Sequence, residues 1–210
     1  MKRKIVFKLF VCILVVISMS QTSQYVFAHS SSQEDILAKS YNSFNGGYYI
    51  GGDNVGWSID EGIHTNGTTV TYSFDYLDQY LTDTYRMYVT MGANYWSGTV
   101  TITNKTDGSG TGKISTYSNP NTYTIAFFGE YSSNSYGHLT SWKIKMNRAK
   151  TVTPRVLAHE FGHAIGLNDL NSSNKLMYGY SGGTATSATS SDLWGAKVIT
   201  GAHYSHAWGY

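Results

Sequence analysis

One short segment constrains this chain more than any other: a helix bracketed by Thr153-Pro154 and Gly166. Threonine is a favoured N-cap, proline fits the first helical position, and glycine after the last turn accepts a left-handed conformation. Between those ends stand His159 and His163, four residues apart, with Glu160 beside the first. That spacing is about one turn, so both imidazoles leave the same face, one above the other. Two imidazoles so placed can share a tetrahedral ion. Leu157, Phe161 and Ile165 fall elsewhere around the helix and are suited to pack on a sheet. Glu160 can reach a water beside such an ion without being a ligand, which a general base must do.

A catalytic zinc takes three protein ligands and keeps one position open. Gly166 offers a sharp reversal, and Asp169 just beyond it can return a carboxylate to the same ion. The run reads His-Glu-x-x-His-x-x-Gly-x-x-Asp. Two neutral imidazoles and one carboxylate leave such a site at about +1, so water is acidified less and more work falls on Glu160. A core helix with two satisfied histidines is the plain alternative. It leaves Glu160, in the same turn, without a reason.

The chain has 210 residues, one domain's worth. Lys2, Arg3, Lys4 and Lys8 precede an apolar run from Leu9 to Ile17, and Val26-Phe27-Ala28 ends in a small residue. That order reads as a secretory signal peptide over 1–28. The apolar run is too short for the roughly 20 residues of a spanning helix. Residues 29–43 read as a polar arm or short pro-segment, and 44–210 as the folded domain. The whole chain has 15 Lys+Arg against 13 Asp+Glu. Four of those bases leave with the signal, which turns the balance slightly acidic. No basic block survives, so neither a nucleic-acid partner nor a stable membrane association is expected. The one cysteine, Cys12, leaves as well, so the exported protein has no disulfide. A secreted, extracellular monomer is expected.

Upstream, Val70 to Phe74 alternates as a strand does. Asp75 reads as the cap of a long helix carrying Leu77, Tyr80, Leu81, Thr84, Tyr88, Met91 and Tyr95 at helical spacing. Thr99–Thr103 reads as a strand, 107–112 as a Gly-rich loop, and Tyr123–Phe128 as a third strand. Leu139-Thr140 reads as a short edge strand and Trp142–Met146 as another strand. A last helix is expected over Ser191–Ile199. The order implies an α+β, mixed α/β fold with helices packed on a sheet.

The helix run, with Leu176-Met177-Tyr178 and Ser191-Asp192-Leu193-Trp194-Gly195 after it, resembles the metzincin zinc metallopeptidases, especially the matrixin-like ones. Most of that family has a third histidine ligand; the snapalysin-type members resemble this chain in having aspartate there. The resemblance implies a twisted, mostly parallel sheet of about five strands, with a long first helix, an active-site helix and a C-terminal helix. It implies one catalytic Zn2+ on His159, His163 and Asp169, with Glu160 as general base and Met177 as a floor that is not a ligand. It implies a protein or peptide substrate, extended along an edge strand near Gly137–Thr140, with a pocket walled by Tyr178, Tyr180 and the residues up to Gly183. Glu160 is the last glutamate of the chain, which excludes zincins that use a later Glu as ligand. Those with Gly-Thr-x-x-Asp are disfavoured, because Ser187 stands where that aspartate should be.

Other chemistries compete. Gly179-Tyr180-Ser181-Gly182-Gly183 fits the Gly-x-Ser-x-Gly string of serine hydrolases, which needs a strand before it and a helix after it. A secreted aromatic-rich binding module with a structural zinc, closed by His203 or His206, would hydrolyse nothing. His29 as a mature N-terminus could bind copper, as in secreted polysaccharide oxidases. His64 and His138 read as surface or core residues. A structural Ca2+ near Asp53 or Asp107 has no calcium-loop spacing behind it, and a second zinc has no recognisable spacing either.

Overall fold

Alternating burial along the strands sets the layers. In the computed structural model, which describes residues 51–52, 56–59, 63–135 and 137–200, β1 (Gly51–Gly52) and β2 (Trp57–Ser58) form a small antiparallel pair. The main sheet contains β3 (Thr69–Phe74), β4 (Thr101–Asn104), β5 (Gly112–Tyr117), β6 (Ala126–Ser133) and β7 (Leu139–Asn147). Their spatial order is β4-β3-β5-β7-β6. Every neighbouring pair is parallel except β6 with β7, so one antiparallel strand closes one edge. The signal segment 1–28, the arm 29–43, Asp53, His203 and His206 lie outside the described residues.

Val70 and Tyr72 of β3, Ile114 of β5 and Trp142, Ile144 and Met146 of β7 are buried on one face. Lys113, Ser115, Lys143 and Lys145 alternate with them and are partly exposed, as period-two strands require. Helices α1 (Asp83–Asn94) and α2 (Pro154–Ile165) pack on the apolar face. The Phe161 ring of α2 lies 5.5 Å from Tyr72 and 6.2 Å from Trp142. Gly92 lets α1 approach α2 closely: a Cβ there would lie 2.9 Å from the Ala158 nitrogen. Trp96 donates its indole N–H to the Ala158 carbonyl at 2.9 Å, tying the end of α1 to the middle of α2. Helix α3 (Ser190–Ile199) packs on β2 and α2. The fold is thus a mixed α/β one: a five-stranded, mostly parallel sheet with three helices. No helix among the described residues is long and apolar enough to cross a membrane.

Four local expectations need correction. Helix α1 starts at Asp83, capped by Thr82, rather than after Asp75. The carboxylates of Asp75 and Asp78 accept the backbone N–H of Leu77 and Tyr80, each at 3.0 Å, and these local bonds hold the chain in turns instead. Leu77 is accordingly exposed. Strand β5 follows directly after the Gly-rich turn and was not expected, although Ile114 is at the centre of the core. The third expected strand runs over Ala126–Ser133 rather than Tyr123–Phe128, and Tyr123 is wholly exposed. Leu139-Thr140 and Trp142–Met146 are one continuous strand, β7. Gly137–Thr140 is therefore not a free edge. Gly137 O accepts from His64 N at 3.0 Å, and Leu139 N donates to His64 O at 2.8 Å. The free edge on this side of the sheet is β6.

Candidate metal centre

Helix α2 is built at both ends as its residues dictate. Thr153 accepts the N–H of Val156 with Pro154 at the start, and Gly166 closes the helix at φ 117°. A side chain at position 166 would be strained at that φ and would press on His64 Cβ at 2.6 Å. From this turn the chain reverses. Leu167 bridges Ile59, and Asn168 N donates to Ser58 O at 2.9 Å, so β2 and the residue after it hold the returning segment.

The reversal brings Asp169 back to the two histidines. Asp169 Oδ1 lies 3.1 Å from His159 Nε2 and 3.5 Å from His163 Nε2, and the two Nε2 atoms are 3.2 Å apart. Each ring is fixed from behind. His159 Nδ1 bonds the Leu176 carbonyl at 3.0 Å, and His163 Nδ1 bonds the Leu167 carbonyl at 2.9 Å. A carbonyl only accepts, so each Nδ1 carries the hydrogen, and each ring in its neutral form turns the lone pair of Nε2 to the cluster. Ligands about 2.0–2.1 Å from a tetrahedral ion lie about 3.3–3.4 Å from one another. The three separations bracket that value. Three acceptors this close repel unless a proton or a cation lies among them, so the set is suited to hold a tetrahedral cation. Among the described residues no other group of three His, Cys, Asp or Glu side chains converges in this way.

The histidine rings are mostly covered, while the Asp169 side chain is 53% exposed. Burial acts to raise the Asp169 pKa, but with a proton on Nε2 in place of a cation, hydrogen bonds and charge from the His159 and His163 rings outweigh it and hold the carboxyl well below the usual carboxylate range. It is therefore an anion wherever the protein is folded near neutrality.

Glu160 is buried one residue before Phe161, and its Oε2 accepts the backbone N–H of Phe128 in β6 at 2.7 Å. The edge strand thus fixes this carboxylate. Met177 is fully buried beneath the helix, and its sulfur fills the space a side chain at Gly162 would need. Tyr178 and Tyr180, with ring centroids 5.5 Å apart, line a cavity of about 510 Å3 together with Tyr123, Arg155, His159 and Glu160.

Two supports of the site were not expected from the sequence. Asp192 is wholly buried in a capping box at the start of α3, where its Oδ2 accepts from Thr189 N at 2.7 Å. The same oxygen accepts from Leu176 N at 3.2 Å, and the carbonyl of Leu176 holds His159. The spacing Thr189-x-x-Asp192 carries a signal for the cap, which the expected start at Ser191 leaves unused, but none for this second bond. The other support, Phe128, acts through its backbone, which leaves no signal in residue type.

Ser181 sits in an exposed run of turns with no strand before it or helix after it, so the serine-hydrolase elbow is not formed. Asp192 is engaged in its cap. Asp107 Oδ1 is taken by the N–H and hydroxyl of Ser109, and no metal-holding group forms around it among the described residues. No protein-family model matches the chain, and no curated protein matches it.

Proposed function

We propose that this chain is a secreted zinc endopeptidase of the metzincin kind, cutting peptide bonds of extracellular proteins. The observation that carries the reading is the triangle of His159 Nε2, His163 Nε2 and Asp169 Oδ1, with edges of 3.1–3.5 Å, beside a buried glutamate that is not one of its corners. Two imidazoles and one carboxylate are a donor set of catalytic zinc. The resemblance of the motif and of Leu176-Met177-Tyr178 to the metzincins adds to this, as does a sheet whose antiparallel edge strand borders the site. The leader-like start supports secretion.

Zinc held by these three ligands supplies Lewis acidity to water and to the scissile carbonyl. Glu160 supplies the proton transfers. Its Oε2 is engaged by Phe128, so Oε1 takes the proton from the attacking water and returns it to the leaving amine. Because β6 is paired on one side only, a substrate can add to its outer edge as a further strand, and the cavity walled by Tyr178 and Tyr180 receives one of its side chains. Phe128 then has two roles: it orients the base and marks where the substrate backbone passes.

Removal of the metal tests the reading. Casein digestion should stop with a zinc chelator and return with added zinc, and His159→Ala should stay inactive throughout. Digestion that persists in chelator contradicts a metal-dependent reaction.

A further inference from the structure

Position 179 is glycine although its backbone does not require one. Gly166 and Gly182 have φ of 117° and 91°, whereas Gly179 is not among the glycines with positive φ. The neighbouring side chain supplies the reason. A Cβ built at position 179 would lie 2.9 Å from Asp169 Cγ, 3.0 Å from its Cβ and 3.0 Å from its Oδ2. At these separations something has to move.

The backbone on either side is held. Gly179 N donates to Leu170 O at 3.1 Å, Leu170 N donates to Met177 O at 2.7 Å, and Leu170 and Tyr178 pair as a bridge. The histidines are held by Leu176 and Leu167. What can yield is the half-exposed carboxylate of Asp169. Aspartate is also a short ligand, whose oxygens lie nearer its own backbone than the far nitrogen of a histidine would. The returning segment must therefore run close to the helix and close to the Tyr178-Gly179 backbone bridged to Leu170.

We infer that Gly179 is a positioning residue for the third metal ligand: its missing side chain leaves the space that seats the Asp169 carboxylate against His159 and His163. The inference rests on reading those three residues as zinc ligands, as proposed above, but not on peptide-bond hydrolysis. Any side chain at position 179 displaces one ligand and leaves the other two in place.

Zinc affinity, measured by competition with a chromophoric chelator, tests this in four proteins: wild type, Gly179→Ala, Asp169→Ala and the double variant. Gly179→Ala should weaken zinc by about 10- to 100-fold, the range seen when the support of a ligand is removed. The same change in the Asp169→Ala chain should have no effect, because the group it acts through is gone. Unchanged affinity in Gly179→Ala, or an equal loss in both backgrounds, overturns the inference. Where Gly179→Ala fails to fold, the double variant decides. Folding restored by deleting the Asp169 side chain supports the inference, and a double variant that also fails overturns it. Zinc binding that follows this pattern without proteolysis leaves the inference standing and removes the endopeptidase reading. A wild type that binds zinc no better than Asp169→Ala overturns the inference, whether or not peptides are cut.

Discussion

A histidine can act as a ligand only when its proton sits on the other nitrogen, and here two backbone carbonyls hold it there. Leu176 and Leu167 fix the Nδ1 hydrogens of His159 and His163, and Asp192 in turn holds Leu176. Histidines elsewhere obey the same chemistry with a different outcome. His138 is buried, its ring 4.9 Å from that of His64, and burial pushes its pKa below the ordinary histidine value. The folded protein thus favours neutral His138 while the unfolded chain titrates near about 6.5. The stability this residue contributes is complete above that pH and falls as the pH drops through it toward the folded value. Thermal unfolding followed from pH 8 to pH 5 should show Tm falling, and His138→Phe should make the fall shallower. An equal slope in both proteins would show that His138 has no part in it.

Among the elements, α2 was the most legible, because its capping residues, its apolar face and its histidine spacing all point to one helix. Thr153→Ala removes an acceptor for the Val156 N–H and should lower stability by about 1 kcal/mol in urea unfolding of the zinc-free protein. A loss near zero would mean that the packing of Phe161 and Leu157 alone fixes the helix start. Strand β5 was the least legible. Gly112-Lys113-Ile114-Ser115-Thr116-Tyr117 carries one strongly apolar residue, because its other face is open and polar. Periodicity read from so short a segment yields to the pairing with β3 and β7 on either side. The start of α1 differs from its spacing for a local reason, the side-chain bonds of Asp75 and Asp78, which compete with helix formation within a sequence otherwise spaced for one. The proposed ligands are all side chains and could be named from spacing. The Phe128 N–H and the Leu176 carbonyl could not, since every residue has such groups.

At the scale of the molecule, the sheet and the site are one construction. The apolar face of the sheet seats α2, α2 carries the histidines and Glu160, and the edge strand β6 meets Glu160 through Phe128. On the far side α3 fixes the segment before Met177 through Asp192. The groups proposed for binding metal, moving protons and pairing substrate thus come from three parts of the chain, β6, α2 and the segment that returns after Gly166, brought together by packing rather than by sequence proximity alone. The most direct measurement compares wild type with Glu160→Ala in digestion of casein and a peptide library, with the zinc content of both proteins determined. The account predicts one zinc in each protein, cleavage by wild type, and activity lowered by at least about 100-fold in the variant, the lower range for loss of a general base. Equal cleavage by the two proteins, each with its zinc, would contradict it.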